Sequence, residues 1–120
     1  MKISPHVQIY KFPITAISSI TNRLTGLSMS GFFILGGLSC LAEKNNLLFR
    51  KYMELNDFNK KIVNYSIAYP CTYHTLGGIR HFIWDKYPSL LKNKSVSKSS
   101  IILIGMSFPL TYLTEYLIML

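Results

Sequence analysis

The stretch LTGLSMSGFFILGGLSCLA, residues 24–42, contains no Asp, Glu, Lys or Arg. A second stretch without these residues covers positions 62–79, and positions 101–120 contain a single acid, Glu115. A membrane-spanning helix needs about 20 mostly apolar residues, because each residue advances the helix by about 1.5 Å. The three stretches have 19, 18 and 20 residues and are therefore long enough. They predict an all-α membrane protein with three transmembrane helices.

The chain is predicted to form a single membrane-anchor domain, residues 1–120. Residues 1–23 are interpreted as an amphipathic N-terminal lead-in. Proline fixes its φ angle and lacks a backbone donor, so the helix that continues into the first span is expected to begin just after Pro13. The predicted spans are about 24–42, 62–83 and 101–120.

The connections between the spans are polar. The loop 43–61 is predicted to hold a short surface helix or irregular structure, and the segment 92–100 is predicted to be a short solvated turn. Pro70 inside the second span predicts a kink.

The charge distribution gives an orientation. The chain is 49% hydrophobic and 15% charged, with a net charge of +8. This charge lies at the ends of the spans, which argues for a membrane and against nucleic acid as the partner. Eight basic residues lie on the side of the N-terminus and of the loop after span two, against five on the opposite loop. The excess favours an N-terminus on the cytoplasmic or matrix face.

The second span carries the residues best suited to a cofactor. On a helix, His74, Gly78, His81 and Asp85 recur on one face. His74 lies about 18 Å into the span, where a neutral imidazole is an available haem ligand. Gly77 and Gly78 remove side-chain bulk where a flat cofactor can approach. The alternative is that the histidine only bonds a neighbouring helix and the glycines only serve packing.

The histidine count limits how this chain can bind haem. The chain contains only His6, His74 and His81. His6 precedes the first span, and His81 lies about 10 Å further along the helix that carries His74. A haem with two histidine ligands therefore requires a second ligand from a partner.

A second polar cluster lies at the start of the first span. Ser19 and Arg23 are neighbours at i and i+4, and they offer a hydroxyl and a fork of guanidinium donors at the membrane boundary. The alternative is an N-cap serine with an arginine that extends to the lipid headgroups. Glu115, between Tyr112 and Tyr116, is interpreted as an interfacial acid in an aromatic belt.

Two motifs carry a family resemblance. SPHVQIYKFPITAISSITNRLTG at residues 4–26 and HTLGGIRHFIWD at residues 74–85 resemble the cytochrome b subunits that anchor succinate dehydrogenase, respiratory complex II, in the membrane. The order of the motifs, their spacing and the three-span plan all agree with that family.

The resemblance implies roles for individual residues. His74 matches the axial ligand of haem b, and His81 matches a residue near the haem propionates. Ser19 and Arg23 match a pair that lines the ubiquinone site. Arg23 and the adjacent Asn22 also fall in the propionate vicinity. Asn22 departs from the family, which usually has histidine there, and asparagine cannot carry a charge.

The resemblance also implies a function and partners. The chain is expected to be a non-catalytic subunit of succinate:ubiquinone oxidoreductase that docks the flavoprotein and iron–sulfur subunits beside a second membrane anchor. It would lie in the mitochondrial inner membrane with its N-terminus in the matrix, or alternatively in a bacterial plasma membrane. Two other functions stay open: a structural subunit that binds neither haem nor quinone, and the anchor of a related fumarate reductase.

Overall fold

A computed structural model describes residues 11–41 and 47–119 of the chain. The described residues form four α-helices and one 3₁₀ helix, and they contain no β-strand. The α-helices are α1 (Ile14–Leu41), α2 (Leu47–Met53), α3 (Asp57–Lys86) and α4 (Asn93–Met119). The 3₁₀ helix, Pro88–Leu91, connects α3 to α4. The predicted helical class is confirmed.

Local sequence signals fix where the helices begin. The Pro13 carbonyl accepts hydrogen bonds from the amides of Ala16 and Ile17, so α1 starts directly after this proline, as predicted. The Asn56 side chain caps α3 by accepting from the Asn59 amide at 2.9 Å, which satisfies an otherwise unpaired donor of the first turn. Residues 1–10 of the predicted lead-in lie outside the described residues.

Two predictions about the connections have different outcomes. The loop 43–61 does contain a short helix, α2. The prediction of a solvated turn at 92–100 is wrong, because α4 already begins at Asn93. The Lys92 carbonyl accepts from two amides of this first turn, and the hydroxyls of Ser99 and Ser100 bond to the Val96 carbonyl. The serines thus bond within the helix.

The bundle has a polar interior and an apolar exterior. Helix α3 packs against both α1 and α4, and α1 also contacts α4. Among the described residues the buried apolar side chains are Pro70, Tyr73 and Leu103, whereas six buried residues are polar: Ser18, Thr25, Ser100, Ser107, Thr111 and Glu115. Large apolar side chains such as Phe33 and Phe82 are more than 70% exposed. Because lipid solvates apolar surface, this arrangement is typical of helices packed in a membrane.

Two helices are long and apolar enough to cross a membrane. They are α1, with 28 residues, and the segment Asn93–Leu117 of α4, with 25 residues. Helix α3 has 30 residues but contains more polar side chains. Both candidate helices are longer than the predicted spans 24–42 and 101–120, because helix geometry continues through the residues that precede each apolar stretch.

Candidate functional site

His74 lies where α3 packs against α1. Its imidazole is half-buried, and its Nδ1 lies 3.0 Å from the main-chain carbonyl oxygen of Asn22. A carbonyl oxygen only accepts hydrogen bonds, so a neutral imidazole in this contact carries its proton on Nδ1 and has its lone pair on Nε2. Within residues 11–41 and 47–119, Nε2 has no hydrogen-bond partner. The contact of Nδ1 therefore orients the ring, and Nε2 is left available to bind another partner.

Two glycines make this close approach of the helices possible. A Cβ added to Gly26 would lie 2.8 Å from His74 Cε1, which is closer than real side chains pack. A Cβ added to Gly77 would overlap the side-chain oxygen of Asn22. Gly77 therefore makes room for α1, whereas nothing lies within 4 Å of a Cβ at Gly78. Only the second of the two adjacent glycines leaves the open space predicted for a flat cofactor.

A buried tyrosine, directly before His74 in α3, joins the same two helices one turn of α1 before the contact with Asn22. Tyr73 is fully buried, and its hydroxyl lies 3.3 Å from both the hydroxyl and the main-chain carbonyl of Ser18. Ser18, Asn22 and Thr25 follow at i, i+4 and i+7, so they form one face of α1. This face was not identified from the sequence, because its spacing of small and polar residues is equally compatible with an exposed face of the helix.

Ser19 and Arg23 lie on a different face of α1. Both side chains are exposed, whereas Ser18 beside them is buried. The structure therefore does not bring this pair into the α1–α3 contact with His74. The hydroxyl and the guanidinium are presented together on the outside of the three-helix bundle, where another chain or a ligand can reach them.

His81 is exposed near the end of α3 and packs edge-on against Trp84, with ring centroids 5.2 Å apart. Trp84 also contacts Arg80, whose guanidinium carbon lies 4.5 Å from the centroid of the tryptophan rings. Arg80 donates from Nη1 to the buried hydroxyl of Ser100 at 3.1 Å. This contact fixes α3 to α4. Arg80 lies within the motif at residues 74–85, but no pattern in the sequence indicated its partner on α4.

Glu115 differs from its predicted position. It is only 6% exposed, so its carboxyl group is buried between the helices and does not extend outward among the tyrosines. Its Oε1 accepts from the Asn64 amide at 3.2 Å, and the Asn64 side-chain oxygen accepts from the Tyr52 hydroxyl at 3.0 Å. These two hydrogen bonds hold the acid inside the bundle and connect α2 to α3 and α4.

The described residues contain no group of three or more His, Cys, Asp or Glu side chains that could hold a metal ion. Cys40 and Cys71 are free thiols. The described residues thus offer the Nε2 nitrogen of His74 where α1 packs against α3. Separately, they present the hydroxyl of Ser19 and the guanidinium of Arg23 on the outer face of α1.

Comparison with known proteins places the chain in a family. The sequence model of the succinate dehydrogenase/fumarate reductase transmembrane subunit matches residues 1–114. The mitochondrial succinate dehydrogenase cytochrome b560 subunit of Dictyostelium discoideum is 34% identical over 107 residues, which cover 85% of this chain and 54% of that protein.

Two further relatives are from a mammal and a bacterium. The mitochondrial cytochrome b560 subunit of Mus musculus is 36% identical over 87 residues, covering 69% of this chain and 52% of that protein. The succinate dehydrogenase cytochrome b556 subunit of Rickettsia felis is 36% identical over 86 residues, which cover 68% of this chain and 64% of that protein. The chain spans about half the length of the mitochondrial relatives. The family resemblance carried by the two motifs is confirmed, and the chain belongs to the succinate dehydrogenase/fumarate reductase transmembrane subunit family.

Proposed function

We propose that this chain is a membrane-anchor subunit of succinate:ubiquinone oxidoreductase that supplies one axial ligand to haem b and contributes to the ubiquinone site. The observation that carries the proposal is the environment of His74: one ring nitrogen is held by a main-chain carbonyl while the other has no partner among the described residues. A histidine that ligates a metal almost always donates its other N–H to a carbonyl or carboxylate in this way. The cytochrome b names of the relatives agree with haem in this family.

The chain's own residues suit haem at this place. His74 would ligate through Nε2, and the open space beside Gly78 leaves room next to the ligand. His81 and Arg23 are both exposed and would meet the propionates, and the amide of Asn22 can also donate there. When bound, haem b accepts and passes on single electrons. The second axial ligand would come from the other membrane anchor, because His6 precedes the first span in the sequence and His81 shares a helix with His74 at another depth.

Gly26→Ala tests how tightly α1 holds the ligand. The new methyl group would meet the His74 ring, so we expect the variant complex to be destabilised by about 1–3 kcal/mol through overpacking. We also expect it to retain less haem per polypeptide. Gly31→Ala is the matched control on the same helix, because nothing lies within 4 Å of its new Cβ. Thermal denaturation and haem content of the purified complex provide the measurements. Identical results for the two variants would mean that the contact between Gly26 and His74 does not position the ring.

The proposal includes a third membrane crossing by α3. Its 30 residues extend about 45 Å, which exceeds the thickness of a bilayer's hydrocarbon core. Its polar side chains support this placement, because Tyr73 and Asn64 bond to the neighbouring helices and His74 to α1. Polar residues at membrane depth usually face protein in this manner.

The topology predicts where a protease can cut. We expect the N-terminus and the segment 86–100 to lie on the matrix face and residues 43–61 to lie on the opposite face, because of the charge asymmetry. Trypsin added to the outer face of sealed inner membranes should therefore cut only within 43–61, where Arg50 and Lys51 are exposed. Cleavage from that face at Lys92, Lys94 or Lys98 would contradict the orientation. The same digestion after detergent treatment is the control that these lysines are cleavable.

The proposed assembly consists of this chain, a second membrane anchor, and the iron–sulfur and flavoprotein subunits. Succinate chemistry would take place on the flavoprotein, and this chain would contribute binding and orientation only. The mitochondrial relatives favour the mitochondrial inner membrane, and the Rickettsia felis relative keeps a bacterial plasma membrane as the alternative.

A related fumarate reductase is the second candidate, because the matching family includes the transmembrane subunits of both enzymes. Purification of the complex, with identification of the co-purifying chains, tests the proposed partners. Comparing succinate oxidation by ubiquinone with fumarate reduction by quinols in that preparation separates the two enzymes. A complex without b-type absorption bands would instead support a structural subunit that binds no haem.

A further inference from the structure

The carboxyl group of Glu115 has one oxygen in use and one without a partner. Glu115 is 94% buried, and its Oε1 accepts from Asn64. Its Oε2 is also buried and has no hydrogen-bond partner within residues 11–41 and 47–119. A buried carboxylate is costly unless each oxygen is paired with a donor. The site is therefore incomplete as the described residues form it.

The surroundings of Glu115 contain a cation and three aromatic rings. The acid borders a cavity of about 180 Å³ that is also lined by Lys61, Tyr65, Tyr112 and Tyr116. The lysine does not hydrogen-bond the free oxygen. Two of the tyrosines are more than half exposed on the outside of the bundle. Tyrosines concentrate at the boundary between hydrocarbon and headgroups, so the cavity has the position of a lipid headgroup site.

We propose that this cavity binds the head group of a zwitterionic phospholipid with a primary ammonium, such as phosphatidylethanolamine. The ammonium would donate to Oε2 of Glu115, and the phosphate would pair with Lys61. Tyrosine faces also attract cations, so the rings around the cavity add to ammonium binding. A choline head group has no N–H donor and would leave Oε2 unpaired. A purely anionic head group would bring negative charge toward the carboxylate.

Lipid binding to the purified, delipidated complex tests the proposal. Native mass spectrometry with phosphatidylethanolamine, phosphatidylcholine and phosphatidylglycerol compares the three head groups directly. We expect the wild-type complex to bind phosphatidylethanolamine most tightly. Glu115→Gln keeps the shape but removes the charge, so we expect it to bind this lipid about tenfold more weakly. Glu54→Gln, at an exposed acid near the same end of the bundle, should bind it as the wild type does.

Lys61→Gln provides a second test at an exposed position that should not affect folding. We expect it to weaken phosphatidylethanolamine binding several-fold through the lost phosphate contact. Equal affinity of wild type and Glu115→Gln for this lipid, or a preference of the wild type for phosphatidylglycerol, would overturn the proposal. Loss of thermal stability in both variants without any change in lipid binding would mean that Lys61 and Glu115 pair with each other, which also overturns it. The haem spectrum, which these substitutions should leave unchanged, keeps this result separate from the haem proposal.

Discussion

Replacing His74 with leucine is expected to reduce the b-type haem absorbance of the purified complex to below about a tenth of the wild-type value. Leucine has a similar volume but no ring nitrogen, so the iron would lose the axial ligand that we propose for it. The main-chain carbonyl of Asn22 would also lose its hydrogen-bond donor. The measurement is the dithionite-reduced minus oxidised spectrum, normalised to the amount of this polypeptide.

The remaining histidines of the chain supply the controls for this experiment. His6→Leu should leave the spectrum unchanged, because residue 6 precedes the membrane helices. His81→Leu should cause at most a shift or a partial loss, since this exposed ring is proposed to contact the propionates and not the iron. If His74→Leu retains the wild-type spectrum, the axial ligand has been assigned to the wrong residue.

The contact between His74 and α1 explains why Asn22 can differ from the histidine usual in the family. His74 bonds to the main-chain oxygen of residue 22, and every residue type provides this oxygen. The orientation of the ligand is therefore independent of the side chain at position 22. The side chain itself packs against Gly77, where its oxygen is buried without a hydrogen bond. Asparagine at this position would therefore leave the ligation that we propose for His74 unchanged, and would alter only the proposed contacts near the propionates.

The sequence predicted the helices better than it predicted their interior faces. The start of α1 after Pro13 and the helical class follow from local chemistry and from apolar length. The buried face formed by Ser18, Asn22 and Thr25 was missed, because small polar residues in a membrane helix are equally compatible with a solvated or a packed position. Their position depends on Tyr73 and His74, more than 50 residues away in the chain.

Glu115 shows the same limit of prediction from sequence, because a residue expected at the interface is buried between the helices. A single acid between tyrosines near the end of an apolar stretch is typical of an interfacial position. The acid is buried because the Asn64 amide faces it from α3, and Asn64 in turn bonds Tyr52 from α2. Such a network joins three separate helices. Spacing within one helix cannot reveal it.

Ser19→Ala and Arg23→Leu are expected to reduce succinate–ubiquinone activity about tenfold to a hundredfold while succinate oxidation by a small artificial acceptor is largely retained. A quinone carries two carbonyl oxygens, and negative charge develops on them during reduction. A hydroxyl and a guanidinium at the membrane boundary strengthen their bonds as this charge develops. Both side chains are exposed on the same face of α1, so they can reach a quinone held between this chain and a docked subunit.

The exposure of this pair also makes the experiment interpretable. Neither side chain supports the α1–α3 contact, so both variants should assemble, and Ser19→Ala should keep the wild-type haem spectrum. Arg23→Leu would disturb that spectrum only if the arginine also contacts a propionate. Ser28→Ala is the matched control, because it removes another exposed hydroxyl from the same helix. Among the described residues, the Ser28 hydroxyl bonds only to the Leu24 carbonyl. If both variants assemble and reduce ubiquinone at the wild-type rate, Ser19 and Arg23 are a helix-start serine and a headgroup-binding arginine, and the quinone binds elsewhere.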